Sequence, residues 1–229
     1  WIHKRGRVEK DERGRMRAML GIIVDITDRK RDEETIALIS RELVHRIKNV
    51  FAVVSGILSL TAREFPDAKP AFATVRGRLN ALAQANDLIA VGRAAGSAGQ
   101  SAQALIRRLA EPYQLVGRER ILVSGDDAPI DEQMATGLAL VLHELATNAV
   151  KYGALSAEDG SVVVALSATP ERLAVAWREQ GGPAVTGEPE RQGFGSLLVQ
   201  RTLEGLEGAM QRRWAPGGLE VDIEMRSAG

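Results

Sequence analysis

From about Asp28 to Arg63 the chain contains no proline and a single glycine, Gly56, and its apolar residues follow a seven-residue repeat. With Ile36 at position a, Ile39 falls at d, Leu43 at a, Arg46 at d, Val50 at a, Val53 at d, Ile57 at a and Leu60 at d, so seven of the eight seam positions are apolar. Few folds accommodate a helix of that length. Pro66 and Pro70 interrupt it, and Phe72, Val75, Leu79, Leu82, Asn86 and Ile89 then resume helical spacing. Two helices joined by a short proline-bearing loop form an antiparallel hairpin. Its apolar stripes are wide enough to call for further helices, from a second copy in a four-helix bundle or from elsewhere in one chain. Arg46 and Asn86 within the pattern leave dimer against monomer open. The register places His45 at position c, so its imidazole is expected on the outside, with Glu42 and Asn49 on the same face.

The flanking segments read differently. Residues 1–9 and 16–26 form strands around a tight turn at 11–14, a β-hairpin that is marginal alone and so belongs to a larger sheet. Thr27 or Asp28 serves as N-cap of the long helix. Residues 92–101 are small, polar and glycine-rich, which predicts a flexible linker and a domain boundary. Beyond it, helices are predicted at 102–113, 131–152 and 195–207, and strands at 121–124, 162–167, 173–177, 210–214 and 219–225. Helices and mostly antiparallel strands without strict alternation imply an α/β sandwich with one sheet face covered by helices.

Composition narrows the function classes. The 229 residues are 45% apolar, enough for one or two domains with real cores. Thirty basic residues balance thirty acidic ones, so there is no electrostatic footprint for nucleic acid or an anionic membrane. There is no cysteine, which excludes disulfides, thiol catalysis and cysteine zinc sites and fits a reducing cytoplasm. No apolar run approaches the roughly 20 residues that cross a bilayer, and residues 1–7 are no signal peptide, so a soluble, cytoplasmic protein is expected. The chain opens on Trp1 and not on methionine, as expected of residues continuing from an upstream segment.

Three stretches carry chemistry. In the helix at 131–152, Leu138, Val141, Leu142, Leu145, Ala149 and Tyr152 share one stripe, which gathers Glu144, Asn148 and Lys151 on another face. A carboxylate and an amide oxygen suit a hydrated Mg²⁺, and a lysine suits the phosphates that accompany it. At a strand end, Glu179 is an acceptor suited to the exocyclic amine of adenine, and Gly181 and Gly182 let the backbone approach the base. Gly193-Phe194-Gly195-Ser196-Leu197 opens a helix whose first amides form a phosphate site. Each stretch alone has a bland equivalent: a solvated helix face, a core tryptophan beside a loop, a glycine pair before a helix. Taken together, the three look like parts of one ATP pocket.

The stretch His143–Leu155 resembles the N box of histidine kinases, with Asn148 at the magnesium position. His143 together with Trp177-Arg178-Glu179, in place of the more usual Asp-x-Gly-x-Gly pattern, is similar to the HWE branch of that family. Residues 193–198 resemble the G2 box, with 186–192 as a short ATP lid made polar by Glu188, Glu190 and Arg191. Glu42-Leu43-Val44-His45-Arg46-Ile47-Lys48-Asn49 resembles the phosphoacceptor H box, with Arg46 where many relatives place an acid. Residues 20–30 look like the end of a PAS sensor domain.

The resemblance covers about residues 18–225. It implies an α+β architecture: the last PAS strands at 1–28, a helical-hairpin dimerisation and phosphoacceptor domain at 29–91, a linker at 92–101, and an ATP-binding α/β sandwich of the GHKL (Bergerat) type at 102–229. The implied function is a sensor histidine kinase that moves a phosphoryl group from Mg-ATP to His45 and on to an aspartate of a response-regulator receiver domain. Glu42 would orient His45. Glu144 would be catalytic and, with Asn148, face the metal. Asn148, Lys151, Tyr152, Glu179, Gly181, Gly182, Gly193, Phe194, Gly195, Ser196 and Leu197 would hold the nucleotide. An upstream PAS sensor and a homodimer are the other partners implied. A nucleotide-binding regulatory or scaffolding module working through the hairpin is the competing reading, and His143 either contacts ligand or packs helices.

Overall fold

The computed structural model describes all residues except Asp11, 95–99, Thr186, 188–193 and 227–229, and leaves aside the side chains of Leu20, Ala37, Ser40, Arg41, 91–94 and Phe194. The chain divides into two compact units, Trp1–Arg46 and Ile47–Gly229. In the first, strands β1 (Ile2–Lys10) and β2 (Met16–Asp25) pair antiparallel, with Gly6 opposite Gly21 and a bulge between Glu9 and Lys10. Ile22, Ile23 and Val24 are all exposed, so apolar side chains stand uncovered on both faces of this two-stranded ribbon. Helix α1 (Thr27–Glu64) follows directly. Its cap is neither Thr27 nor Asp28: the Asp25 carboxylate accepts from the Thr27 amide at 2.9 Å and from its hydroxyl at 2.6 Å. Those bonds hold the Asp25 carboxyl below its usual range.

The second unit begins within α1. A turn of 3-10 helix at Pro66–Ala68 leads into α2 (Lys69–Ala94), with Pro70 in the first turn, where a missing N–H costs nothing. The heptad seam does not face α2. Val50, Val53, Ile57 and Leu60 are exposed, while Phe51, Val54 and Leu58, one position along, are half-buried, and Lys48 pairs with Asp87 of α2 at 3.0 Å. By length and composition Glu42–Glu64 is apolar enough to cross a membrane, which corrects the expectation that no stretch approaches that size; none of it is fully buried. The polar residues interrupting it, His45, Arg46, Lys48 and Asn49, are what hid it from a search for an unbroken run.

On α2 the most deeply buried residues are Ala81, Ala85 and Ile89, of which only Ile89 belongs to the expected stripe. Small side chains at four-residue spacing let a neighbouring backbone come close, and that neighbour is the long central helix. The expected linker is shorter at both ends. Helix α2 runs to Ala94, and Gln100–Ser101 (β3) pairs with Pro129–Ile130 (β5); residues 95–99 lie outside the described residues.

Helix α3 (Ala102–Ala110) is capped by Ser101, whose hydroxyl accepts from the Ala104 amide at 2.9 Å. Then come β4 (Ile121–Gly125), α4 (Glu132–Lys151), β6 (Ser161–Ala168), β7 (Arg172–Gln180), α5 (Phe194–Gly205), β8 (Ala209–Ala215) and β9 (Gly218–Arg226). These five strands form one sheet in the order β4-β6-β7-β9-β8, parallel between β4 and β6 and antiparallel elsewhere. Alternate residues Val162, Val164 and Leu166, Leu173, Val175 and Trp177, and Val221, Ile223 and Met225 point into one core shared with α3, α4, α5 and the buried residues of α2. Each such side chain contributes about 1.5–3 kcal/mol on leaving water. The sandwich expected from the order of elements is therefore present, with α4 at its centre.

Candidate functional site

Helix α4 starts where Asp131 accepts from the Met134 amide at 2.7 Å, and it buries Leu138, Val141, Leu142, Leu145 and Ala149 as the spacing predicts. Two expectations for this helix fail. Tyr152 is 76% exposed, because the helix ends at Lys151 and Tyr152 departs from helical backbone, leaving the stripe. Glu144, expected on the polar face, is buried. What makes this tolerable is Arg78 of α2: its Nε donates to Glu144 Oε1 at 2.7 Å and its Nη2 to Oε2 at 3.0 Å, a bidentate pair that keeps the charge compensated. Asn148 and Lys151, four and seven residues on, are exposed, so an open strip about 10 Å long runs down α4 from Glu144.

His143 is half-buried and lies between α2 and Tyr113. A Cβ on Gly77 of α2 would lie 2.8 Å from its Nε2, and its Nδ1 lies 3.4 Å from the Tyr113 hydroxyl. The missing side chain at Gly77 leaves the imidazole room to lie against α2 there. Burial pushes the His143 pKa below its usual 6.5, opposed by the nearby Glu144 charge. Burial likewise raises the Tyr113 phenol, opposed by its bond with Thr147.

At the other end of the strip, the chain after α4 turns through Gly153 into a 3-10 turn at Ala154–Ser156. Glu179 is the second-last residue of β7 rather than past its end, because β7 runs three residues beyond the predicted Trp177. Its carboxylate is buried, with Oε2 accepting from the Ala154 amide at 2.8 Å and Oε1 from the Trp177 indole at 3.3 Å. Burial raises its pKa, and these two donors oppose the rise. A Cβ at Gly153 would collide with this carboxylate, and one at Gly182 would lie 2.6 Å from the Ala154 Cα. Gly181 has φ +70, a left-handed turn that reverses the chain after β7.

The glycine box meets α4 at the Glu144 end. A Cβ at Gly195 would collide with Glu144 Oε2 and lie 3.6 Å from Arg78 Nη2. Ser196 is half-buried and Leu197 exposed. Gly193, most of the expected lid and the Phe194 side chain lie outside the described residues. The structure thus gathers Glu144 with Gly195, and Glu179 with the Gly153 and Gly182 backbone, at two ends of one exposed strip carrying Asn148 and Lys151. In the first unit His45 is exposed, as its register predicts, and the Glu42 carboxylate accepts from Arg46 Nε at 3.0 Å. Sequence reasoning missed Arg78. The signal was the spacing of Gly77, Ala81 and Ala85, which marks the close face of α2 and sets Arg78 at its edge.

A family model described as HWE histidine kinase matches residues 42–127. The chain is 37% identical over 228 residues to a blue-light-activated histidine kinase of Brucella anthropi, covering 97% of this chain and 45% of the relative. It is 35% identical over 205 residues to blue-light-activated histidine kinase 1 of Erythrobacter litoralis, covering 89% of this chain and 57% of the relative. The chain therefore spans about half the length of these curated relatives. Among solved structures, a blue-light activated histidine kinase of Erythrobacter litoralis superposes with TM-score 0.60 at 19% identity, over 98% of this chain and 69% of that one. The separate histidine kinase domain of that protein gives 0.55 at 20% identity, over 81% and 93%. These likenesses show a shared fold.

Proposed function

Because the chain belongs to the HWE histidine kinase family, we propose that it is the core of a cytoplasmic sensor kinase that phosphorylates His45 from ATP. The observation that carries this reading is the strip along α4: a carboxylate, an amide and a cation in line, with a bare-backbone glycine at each end and Glu179 closing the far one. In this reading residues 29–91 are the phosphoacceptor hairpin, 102–229 the ATP-binding domain, and 1–28 the tail of a PAS sensor whose remaining strands would cover the exposed ribbon. The exposed seam of α1 offers a second copy of the chain a surface for a four-helix bundle.

Glu179 accepts from the adenine amine with the lone pairs that Ala154 and Trp177 leave over, and the Gly181–Gly182 backbone lies against the base. Tyr152 and Lys151 stand exposed on the nucleotide side, Lys151 toward the phosphates. Phe194, Gly195, Ser196 and Leu197 present the first amides of α5 to phosphate oxygens, and the reading assigns Gly193, just before them in sequence, to the same phosphate-binding stretch. Among the described residues there is no cluster of three or more histidine or acidic side chains that would cage a metal. The donor set fits a cation carried mainly by phosphates, with Asn148 supplying one hard oxygen and Glu144 a neighbouring carboxylate. Bound there, Mg²⁺ would neutralise charge on the transferring group. In the transfer a P–N bond forms at the His45 imidazole, the bond from the γ-phosphorus to the bridging oxygen breaks, ADP leaves and the imidazole gives up its proton. Glu42 orients that ring. The phosphoryl group then passes to an aspartate of a response-regulator receiver domain. Incubation with ATP labelled at the γ-phosphate should label the wild type and leave His45→Ala unlabelled; equal label on both would sink the assignment.

A further inference from the structure

We infer that Arg78, from a helix outside the ATP-binding segment, is a positioning residue of the nucleotide site that acts through Glu144. The inference rests on the reading that Glu144 serves phosphoryl transfer. Its ground is the junction at which α2, α4 and the start of α5 meet. The guanidinium donates to both Glu144 oxygens at 2.7 and 3.0 Å, so it fixes the plane of the carboxylate as well as its charge. The pair is largely withdrawn from solvent, with side chains 14% and 10% exposed, so water does not substitute for either partner. Gly195, in the glycine box, lies against Glu144 Oε2 with Arg78 beside it, and any side chain there would drive the carboxylate off its seat. One arginine therefore sets where a functional carboxylate stands relative to the amides at the start of α5.

Two neighbouring features show that α2 is placed to deliver this group. Gly77, one residue earlier, lets the helix lie against His143, and Ala81 and Ala85 on the same face are buried in the common core. The seating of α2 on α4 and the orientation of Glu144 are one structural event. The ATP-binding domain is incomplete without α2, although the sequence divides the two at a glycine-rich segment.

The test is single-turnover transfer of label from ATP to His45 in the full chain, with thermal melting alongside. Arg78→Gln should slow transfer at saturating ATP by about tenfold or more while changing the KM for ATP by less than about threefold. Arg78→Lys should melt close to the wild type yet stay slow, since an ammonium is a point charge that does not grip two oxygens at once. In a Glu144→Gln background, Arg78→Gln should cost nothing further. The inference is overturned by an unchanged or faster rate in Arg78→Gln, by Arg78→Lys restoring rate and melting together, or by losses that multiply in the Glu144→Gln background. A wild type that binds ATP and takes no label overturns the kinase reading itself, and this inference with it.

Discussion

Two carboxylates close the ends of the strip along α4, and the protein neutralises them by opposite means. Glu144 is matched by a full cation, the Arg78 fork. Glu179 is held by two neutral donors, the Ala154 amide and the Trp177 indole, with burial left to raise its pKa. The chemistry follows from the difference. A carboxylate gripped by guanidinium is locked in charge and orientation, which suits a group that must stand in a fixed place near moving phosphate. A carboxylate held by dipoles alone keeps lone pairs and unmet demand for a further donor, which suits the reading of a base amine.

The strongest way to break the comparison is to remove the cation. Arg78→Met should lower the unfolding free energy by about 3 kcal/mol, because it strands a buried charge, and adding Glu144→Leu should recover most of that loss. A cost below about 1 kcal/mol in denaturant titration would mean that solvent already screens the pair.

Glu179→Gln should cost less, about 1–2 kcal/mol at pH 5: the amide oxygen still accepts from Ala154 and no cation is orphaned, but the amide nitrogen then faces the Trp177 indole N–H and that bond is lost. Its pH dependence sharpens the contrast. The folded Glu179 pKa lies above the ordinary 4.5, so its contribution to stability is full below pH 4.5 and is lost as pH rises through the raised value. The stability of Glu179→Gln relative to wild type should therefore climb with pH over that window. A flat difference would show that the two donors offset burial completely.

The smallest effect belongs to His143, beside the Glu144 end. Its folded pKa is depressed below 6.5, so its contribution is present above pH 6.5 and lost as pH falls through the folded value. Between pH 7.5 and 5.5 the wild type should lose more stability than His143→Gln, by less than about 1 kcal/mol. Parallel losses would place the imidazole in water and not between helices.

Much of the site was legible because its residues are near one another in sequence or follow a period. The spacing of Leu138, Val141, Leu142, Leu145 and Ala149 placed α4, and the position of His45 in the heptad placed an exposed imidazole. Where the reading failed, a partner from elsewhere decided. Glu144 was assigned to the polar face because period alone does not know that Arg78, 66 residues away, would compensate it. The stripe chosen for α2 followed the larger apolar residues, yet tight helix contact selects the smallest, Ala81 and Ala85. The cap of α1 was sought at Thr27 or Asp28, while the acceptor came from Asp25 at the strand end.

By itself the sequence determined the order and type of the main elements, the sandwich they form and the family they belong to, because periodicity, turn residues and motif order are local properties of a chain. Only the tertiary structure decided which carboxylate is paired with a cation and which with dipoles, which face of α2 is covered, and that α2 packs on α4 so as to bring Arg78 to Glu144. Burial and charge compensation are set by what lies across a contact, and α2 reaches α4 from a part of the chain that local patterns assign to a different domain.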